Sequence, residues 1–188
     1  MKNILVTLVA LATLTSVQAD EDPLEPLNRR IGTWANTTYQ KKAAWTPKEQ
    51  TTTGEETIKW ILDKKFIQID VTNADDTKGR SLITYDSEAK VYRSWFFGNQ
   101  NEFPRGDSIG RWDPKTDRMD WTLDFGDDLR GKMFFQFTGK DKMDWALIIR
   151  DGSGKIMMKT KSCRPKIMKK KSYTFPFKSN FFKEQDPF

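Results

Sequence analysis

Apolar and polar residues alternate along most of the chain from residue 31 onward, in short runs separated by breaks rich in Asp, Gly, Pro and Ser. A period of two places apolar side chains on one face of a β-strand and polar side chains on the other. A short helical turn is predicted for residues 23–31, after Pro23. The strand pattern predicts ten strands, at residues 31–39, 52–62, 66–73, 80–86, 90–98, 107–113, 118–125, 132–138, 142–150 and 155–162.

Two segments nearly repeat each other, DRMDWTL at residues 117–123 and DKMDWAL at residues 141–147. Two strands with their turns occupy about two dozen residues, so the segments fall on strands that run in the same direction, one hairpin apart. Trp121 and Trp145 then share an apolar face with the Met and Leu two positions away. Because closure leaves no edge strand unpaired, an all-β, single up-and-down antiparallel barrel of about ten strands is predicted.

The breaks between the predicted strands alternate between short turns and longer loops. Residues 151–155 resemble the short turns, whereas residues 73–79, 98–106 and 126–131 form longer breaks. In an up-and-down meander, alternate connections fall at the same end. One end of the barrel is therefore expected to carry tight turns and the other longer, acidic loops.

The first 19 residues have the layout of a secretory signal peptide. Lys2 precedes an apolar run from Ile4 to Leu14, and small and polar residues follow up to Ala19. The run is shorter than the roughly 20 residues that a helix needs to cross a bilayer. A secreted or periplasmic protein is expected. Its one cysteine, Cys163, excludes an internal disulfide.

The division predicted is a signal peptide at 1–19, an N-terminal segment at 20–30, a barrel at 31–162 and a C-terminal extension at 163–188. Positive charge is concentrated near the C-terminus, since residues 155–188 hold ten Lys or Arg against two acids. Basic residues interleaved with aromatic rings are typical of segments that bind anionic surfaces or polymers, although an extended segment laid across the barrel has the same composition. The candidate surface-binding residues are Lys169, Lys170, Lys171, Phe175 and Phe177.

The chain has no histidine. This excludes every catalytic or metal arrangement that needs an imidazole. The paired acids at 75–76 and 127–128 leave a carboxylate-based enzyme or a calcium site as alternatives, but neighbouring loop acids are usually solvated and none has the spacing of an EF-hand loop. No metal and no cofactor are predicted.

Several short motifs resemble a known family. They are the first-strand segment Gly32-Thr33-Trp34, the hairpin at residues 60–68, and Tyr85-Asp86 followed by Tyr92 and Trp95. They are similar to those of a family of secreted bacterial proteins with a lipocalin-like domain of unknown function, grouped with the calycin-type barrels. The resemblance covers residues 27–162 and implies a calycin-like barrel. It further implies a basic residue that covers Trp34, for which Arg150 is the candidate.

A barrel of ten strands is wider than side chains readily fill, so an interior cavity for a ligand is expected. If every second residue of the predicted strand 90–98 faces the same way, Arg93 shares an apolar face with Val91, Trp95 and Phe97. Its guanidinium then needs a ligand headgroup or an internal Asp as a partner. The leading hypothesis is non-catalytic binding of a small apolar or amphipathic molecule. The alternatives are docking to an anionic surface through the basic tail and a carboxylate-based enzyme. The pocket candidates are Trp34, Trp60, Arg93, Trp95, Trp121 and Trp145.

The signal peptide leads to a prediction about the mature chain. We expect the exported protein to begin at Asp20, because small residues precede the boundary at Ala19. N-terminal sequencing of protein exported by a bacterial host checks it. Exported protein that retains residues 1–19 contradicts the prediction.

Overall fold

A computed structural model of the protein describes residues 22–99, 105–126 and 128–167. Within these residues one short helix precedes ten strands. Their bounds are α1 Glu25–Arg30, β1 Gly32–Gln40, β2 Gln50–Ile61, β3 Phe66–Asn73, β4 Lys78–Asp86, β5 Val91–Gly98, β6 Arg105–Asp113, β7 Arg118–Asp124, β8 Arg130–Gly139, β9 Lys142–Arg150 and β10 Ile156–Pro165.

Each strand pairs antiparallel with the next along the chain, and β1 pairs with β10 as well as with β2. The sheet is therefore a closed barrel, and the predicted up-and-down barrel of ten strands is confirmed. The closing pair extends further than the sequence pattern suggested. Strand β10 runs to Pro165, and the Ile167 amide donates to the Thr33 carbonyl at 2.7 Å. Residues just beyond 162 thus belong to the barrel wall.

The connections divide between two ends of the barrel, as an up-and-down meander requires. The end reached by the turns after β2, β4, β6 and β8 also carries α1, and we call it the helix end. The other end, with the connections after β1, β3, β5, β7 and β9, is the loop end. The short turn at residues 151–155 follows β9 and lies at the loop end, where Gly152 packs against Asp128. The prediction that all short turns lie at one end of the barrel is therefore wrong for residues 151–155.

Helix α1 closes the helix end of the barrel. Leu27 is fully buried in the core cluster. The Trp60 indole donates to Asn28 Oδ1 at 3.0 Å, and the Tyr92 hydroxyl donates to the Pro23 carbonyl at 2.6 Å. Because these bonds reach strands β2 and β5, the helix is held across the width of the barrel.

The two repeated segments occupy β7 and β9 with the predicted faces inward. Trp121 is 2 % exposed, and its ring lies so close to Gly110 that a Cβ there would approach it to 2.9 Å. Trp145 is partly buried against the same core. Glycine at position 110 is therefore required by the packing of the neighbouring indole.

The packing of Trp121 predicts a large loss of stability on truncation. We expect Trp121→Ala to lower the free energy of unfolding by about 3–5 kcal/mol, because it leaves a cavity in the core. Trp45, which is 48 % exposed, provides the control, and Trp45→Ala is expected to change stability by less than about 0.5 kcal/mol. Urea unfolding followed by circular dichroism measures both. Equal losses would contradict the assigned inward face.

An ion pair between α1 and the turn after β6 predicts acid sensitivity. Arg29 donates to Asp117 at 2.7 and 3.2 Å, and this hydrogen bonding holds the pKa of Asp117 below its usual value. Since the folded-state pKa is the lower one, the stabilisation is complete above the unfolded pKa of about 3.9 and is lost as the pH falls through the folded value.

We therefore expect the unfolding midpoint to hold from neutral pH to about pH 5 and to fall below about pH 4, with a smaller fall in Asp117→Asn. Thermal unfolding across this pH range is the measurement. An identical acid response in wild type and variant would remove Asp117 as a contributor.

Candidate functional site

Solvent accessibility inside the barrel changes from one end to the other. At the helix end the inward side chains Trp34, Ile67, Met119 and Met143 are fully buried. At the loop end many inward residues remain partly accessible, although they also lie inside a closed wall. These are Thr38, Thr52, Val71, Ser81, Phe125, Met133, Leu147 and Met158. The interior is therefore fully buried at the helix end and partly accessible at the loop end.

Toward the loop end the interior has two chemically different walls. On strands β7 to β9 the inward residues are apolar: Leu123, Met133, Leu147 and Ile149, and Phe125 just after β7 packs against the same core. On strands β10, β1 and β2 they are mainly polar: Ser162, Thr160, Asn36, Thr38, Gln40 and Thr52. A barrel interior of this kind can accept a molecule with an apolar body and a polar side or end.

Two aromatic residues lie at the loop end. Phe96 is 41 % exposed, and its ring packs against Gly79, where a Cβ would approach it to 2.6 Å. Trp45 belongs to the connection after β1, and its amide donates to the Met157 carbonyl at 2.9 Å, which fixes this connection beside β10. Large, exposed aromatic side chains are therefore present at the loop end of the barrel.

Three charged residues, from α1, β2 and β10, meet inside the barrel, and we call them the Arg–Glu–Arg cluster. Glu56 on β2 accepts hydrogen bonds from Arg30 Nη2, at 3.4 Å, and from Arg164 Nη1 on β10. All three residues are buried, and Glu56 is only 1 % exposed. The guanidinium of Arg30 stacks on Phe135 at 4.3 Å and that of Arg164 on Trp145 at 5.0 Å.

The cluster has an excess of positive charge. Burial lowers the pKa of Arg30 to about 10, with attraction by Glu56 opposing this shift and repulsion by Arg164 adding to it. A guanidinium with this pKa is still protonated at neutral pH, so two cations face one carboxylate. The sequence analysis did not identify these residues, because Arg30 and Arg164 lie in the N-terminal segment and beyond the predicted barrel boundary.

Trp34 is enclosed by residues of the closing strands. Its indole Nε1 donates to the Arg30 carbonyl at 2.7 Å, and the Lys166 ammonium lies 5.2 Å from its ring centroid. The basic residue that covers Trp34 is thus Lys166. Arg150, the expected residue, is exposed at the loop end and donates to the Gly154 carbonyl. The expectation failed because β10 continues past residue 162.

Three other tryptophans predicted for the pocket also face inward. Trp121 and Trp145 face the interior from β7 and β9. Trp60 faces inward at the helix end, where its hydrogen bond to Asn28 fixes α1. The Arg–Glu–Arg cluster is therefore contacted by Trp34 and Trp145. Trp121 belongs to the core on β7, and Trp60 contacts helix α1.

Arg93 and Trp95 were expected inside the barrel, and the structure corrects this. Their register neighbours on β4 are Thr84 and Leu82 of the outer face, and the inward residues of β5 are Tyr92, Ser94 and Phe96. Arg93 bonds Asp86 at 2.8 Å on the outer surface, and Trp95 packs on Phe66. The parity was misassigned because both faces of this strand carry aromatic residues.

The remaining candidates do not form a site among the described residues. Lys169, Lys170, Lys171, Phe175 and Phe177 lie outside them, as do residues 1–19 and Asp127. Asp75 accepts hydrogen bonds from Thr77, as expected of a turn. Within the described ranges no three acidic or cysteine side chains are grouped to hold a metal ion, and no helix has the length and apolarity to cross a membrane.

Comparison with known proteins identifies the fold. No protein-family model and no curated protein matches the chain. Among solved structures, the chain is similar to the S-type phycobiliprotein lyase CPES of Guillardia theta, with a TM-score of 0.55 and 11% identity, over 76% of this chain and 91% of the lyase. It is also similar to Rv2717c of M. tuberculosis, with a TM-score of 0.58 and 12% identity, over 78% of this chain and 98% of that protein. These similarities support a calycin-like barrel.

Proposed function

We propose that the protein is an exported, non-catalytic carrier or receptor that binds a small amphipathic molecule inside its barrel. The observation that supports this most is the partial accessibility of inward residues at the loop end, above a packed helix end. Small-molecule sites are concave and largely pre-formed, and the mouth of a β-barrel is a common place for one.

The chemistry of the interior supports an amphipathic ligand. An apolar body packs against β7 to β9, where Leu123, Met133 and Leu147 lie inward. Polar groups of the ligand face the hydroxyls of Thr38, Thr160 and Ser162 on the opposite wall. Small-molecule sites usually bury the apolar surface of the ligand and pair its polar groups with a few polar groups of the protein.

A neutral dye tests this function independently of ligand charge. We expect Nile red to bind the wild-type protein with increased fluorescence and Thr38→Trp to weaken that binding by about tenfold or more, because the added indole fills the interior. Thr38 faces inward between Thr52 and Ser162.

The neighbouring Thr37 supplies the matched control, since it lies on the same strand and faces outward. Thr37→Trp is expected to keep the wild-type affinity for Nile red. Circular dichroism establishes that each variant is folded. Wild-type protein that does not bind the dye, or equal affinities of the two folded variants, would reject the barrel interior as the binding site.

A further inference from the structure

We propose that the ligand carries an anionic group, a carboxylate, which the Arg–Glu–Arg cluster binds inside the barrel. This inference rests on the proposed function and adds the chemical class of the ligand and the residues that recognise it. Recognition is assigned to Arg164 and Arg30, with Glu56 as the internal carboxylate that shares their guanidinium groups.

The first argument is charge. Arg30, Glu56 and Arg164 are 4 %, 1 % and 7 % exposed, and together they carry one more positive than negative charge. Isolated buried charge is strongly unfavourable unless a partner neutralises it. Within the described residues, Glu56 is the one carboxylate that pairs with these two guanidiniums. A single further anion would neutralise the group.

The second argument is the supply of hydrogen-bond donors. Among the described residues, Arg30 Nε and Trp121 Nε1 are buried and have no hydrogen-bond acceptor. Buried donors in proteins are nearly always paired. Both belong to inward-directed side chains, and both are donors rather than acceptors. Of the two, Arg30 Nε belongs to the Arg–Glu–Arg cluster, and an acceptor-only group such as a carboxylate matches this donor, whereas a cationic ligand group does not.

The third argument is access. Along β10 the inward residues Met158, Thr160, Ser162 and Arg164 lead from the loop end to the cluster, and Arg164 Nε lies 3.5 Å from Ser162 Oγ. Arg164 stacks on Trp145, which is partly accessible. In the proposal, a ligand entering at the loop end reaches Trp145 before Arg164, since Trp145 pairs with Ser162 and Arg164 pairs with Met143 nearer the helix end. The apolar wall of β7 to β9 flanks the same route.

Matched ligands separate the charge from the apolar body. Dodecanoate and dodecanol have the same chain length and differ in the headgroup, and displacement of Nile red measures both. We expect the wild-type protein to bind dodecanoate about tenfold or more tightly than dodecanol, because a charge-assisted hydrogen bond is worth at least this factor.

Two cluster variants make opposite changes. Arg164→Gln is expected to abolish the preference for dodecanoate over dodecanol. Glu56→Gln removes the competing carboxylate and is expected to increase the affinity for dodecanoate. Arg93→Gln is the control, since Arg93 is an outer-surface arginine paired with Asp86, and it should keep the wild-type preference.

The outcomes distinguish the two proposals. If neither compound displaces Nile red and the dye itself does not bind, the proposed function fails. If dodecanol binds as tightly as dodecanoate in the wild-type protein, ligand binding stands and the anion site is overturned. If Arg164→Gln does not fold by circular dichroism, Glu56→Gln decides. No gain in its affinity for dodecanoate relative to dodecanol overturns the proposal, because removal of the competing carboxylate would leave both guanidiniums to the ligand.

Discussion

One buried interaction, that of Glu56 with Arg30 and Arg164, links the elements that meet where the barrel closes. Glu56 lies on β2 and Arg164 on β10, the two strands that flank β1, so their ion pair spans the seam at which the sheet closes. Arg30 belongs to α1, and its carbonyl accepts the hydrogen bond of Trp34 from β1. One buried carboxylate thus connects the helix and both sides of the closing strand. The packed helix end is built around this contact.

A buried ion-pair cluster is weak evidence of a contribution to stability. Replacement of buried ion pairs by apolar residues of similar volume is often neutral or stabilising, whereas removal of one partner is strongly destabilising. The interior around the cluster is rich in aromatic rings, including Phe135 and Trp145, so apolar replacements would fit its surroundings. The excess of buried positive charge is the basis of the proposal that the cluster binds an anion as well as linking parts of the fold. Its position below the accessible interior is consistent with that role.

Whether the sequence alone predicts which side of a strand faces inward depends on how different the two sides are. The assignment succeeded for Trp121, because one face of β7 is apolar and the other carries Arg118, Asp120 and Thr122. It failed for Arg93, because β5 has aromatic residues at both parities, so the period of two has no contrast there. The register with β4 and β6 resolved the ambiguity. An alternating strand determines its own faces, and a strand apolar on both sides takes them from its neighbours.

The sequence by itself determined the ten strands, their order as a meander and the inward direction of the repeated Met-Asp-Trp segments, since turn chemistry and the period of two are local properties. Only the tertiary structure decided which charged residues meet. Glu56 lies 26 residues from Arg30 and 108 from Arg164, and neither separation leaves a periodic signal in the chain. The contact arises because closure brings β10 beside β1, and α1 folds back under the barrel. From the sequence alone, a charged residue that faces inward cannot be distinguished from an exposed one, because its partners lie on distant strands.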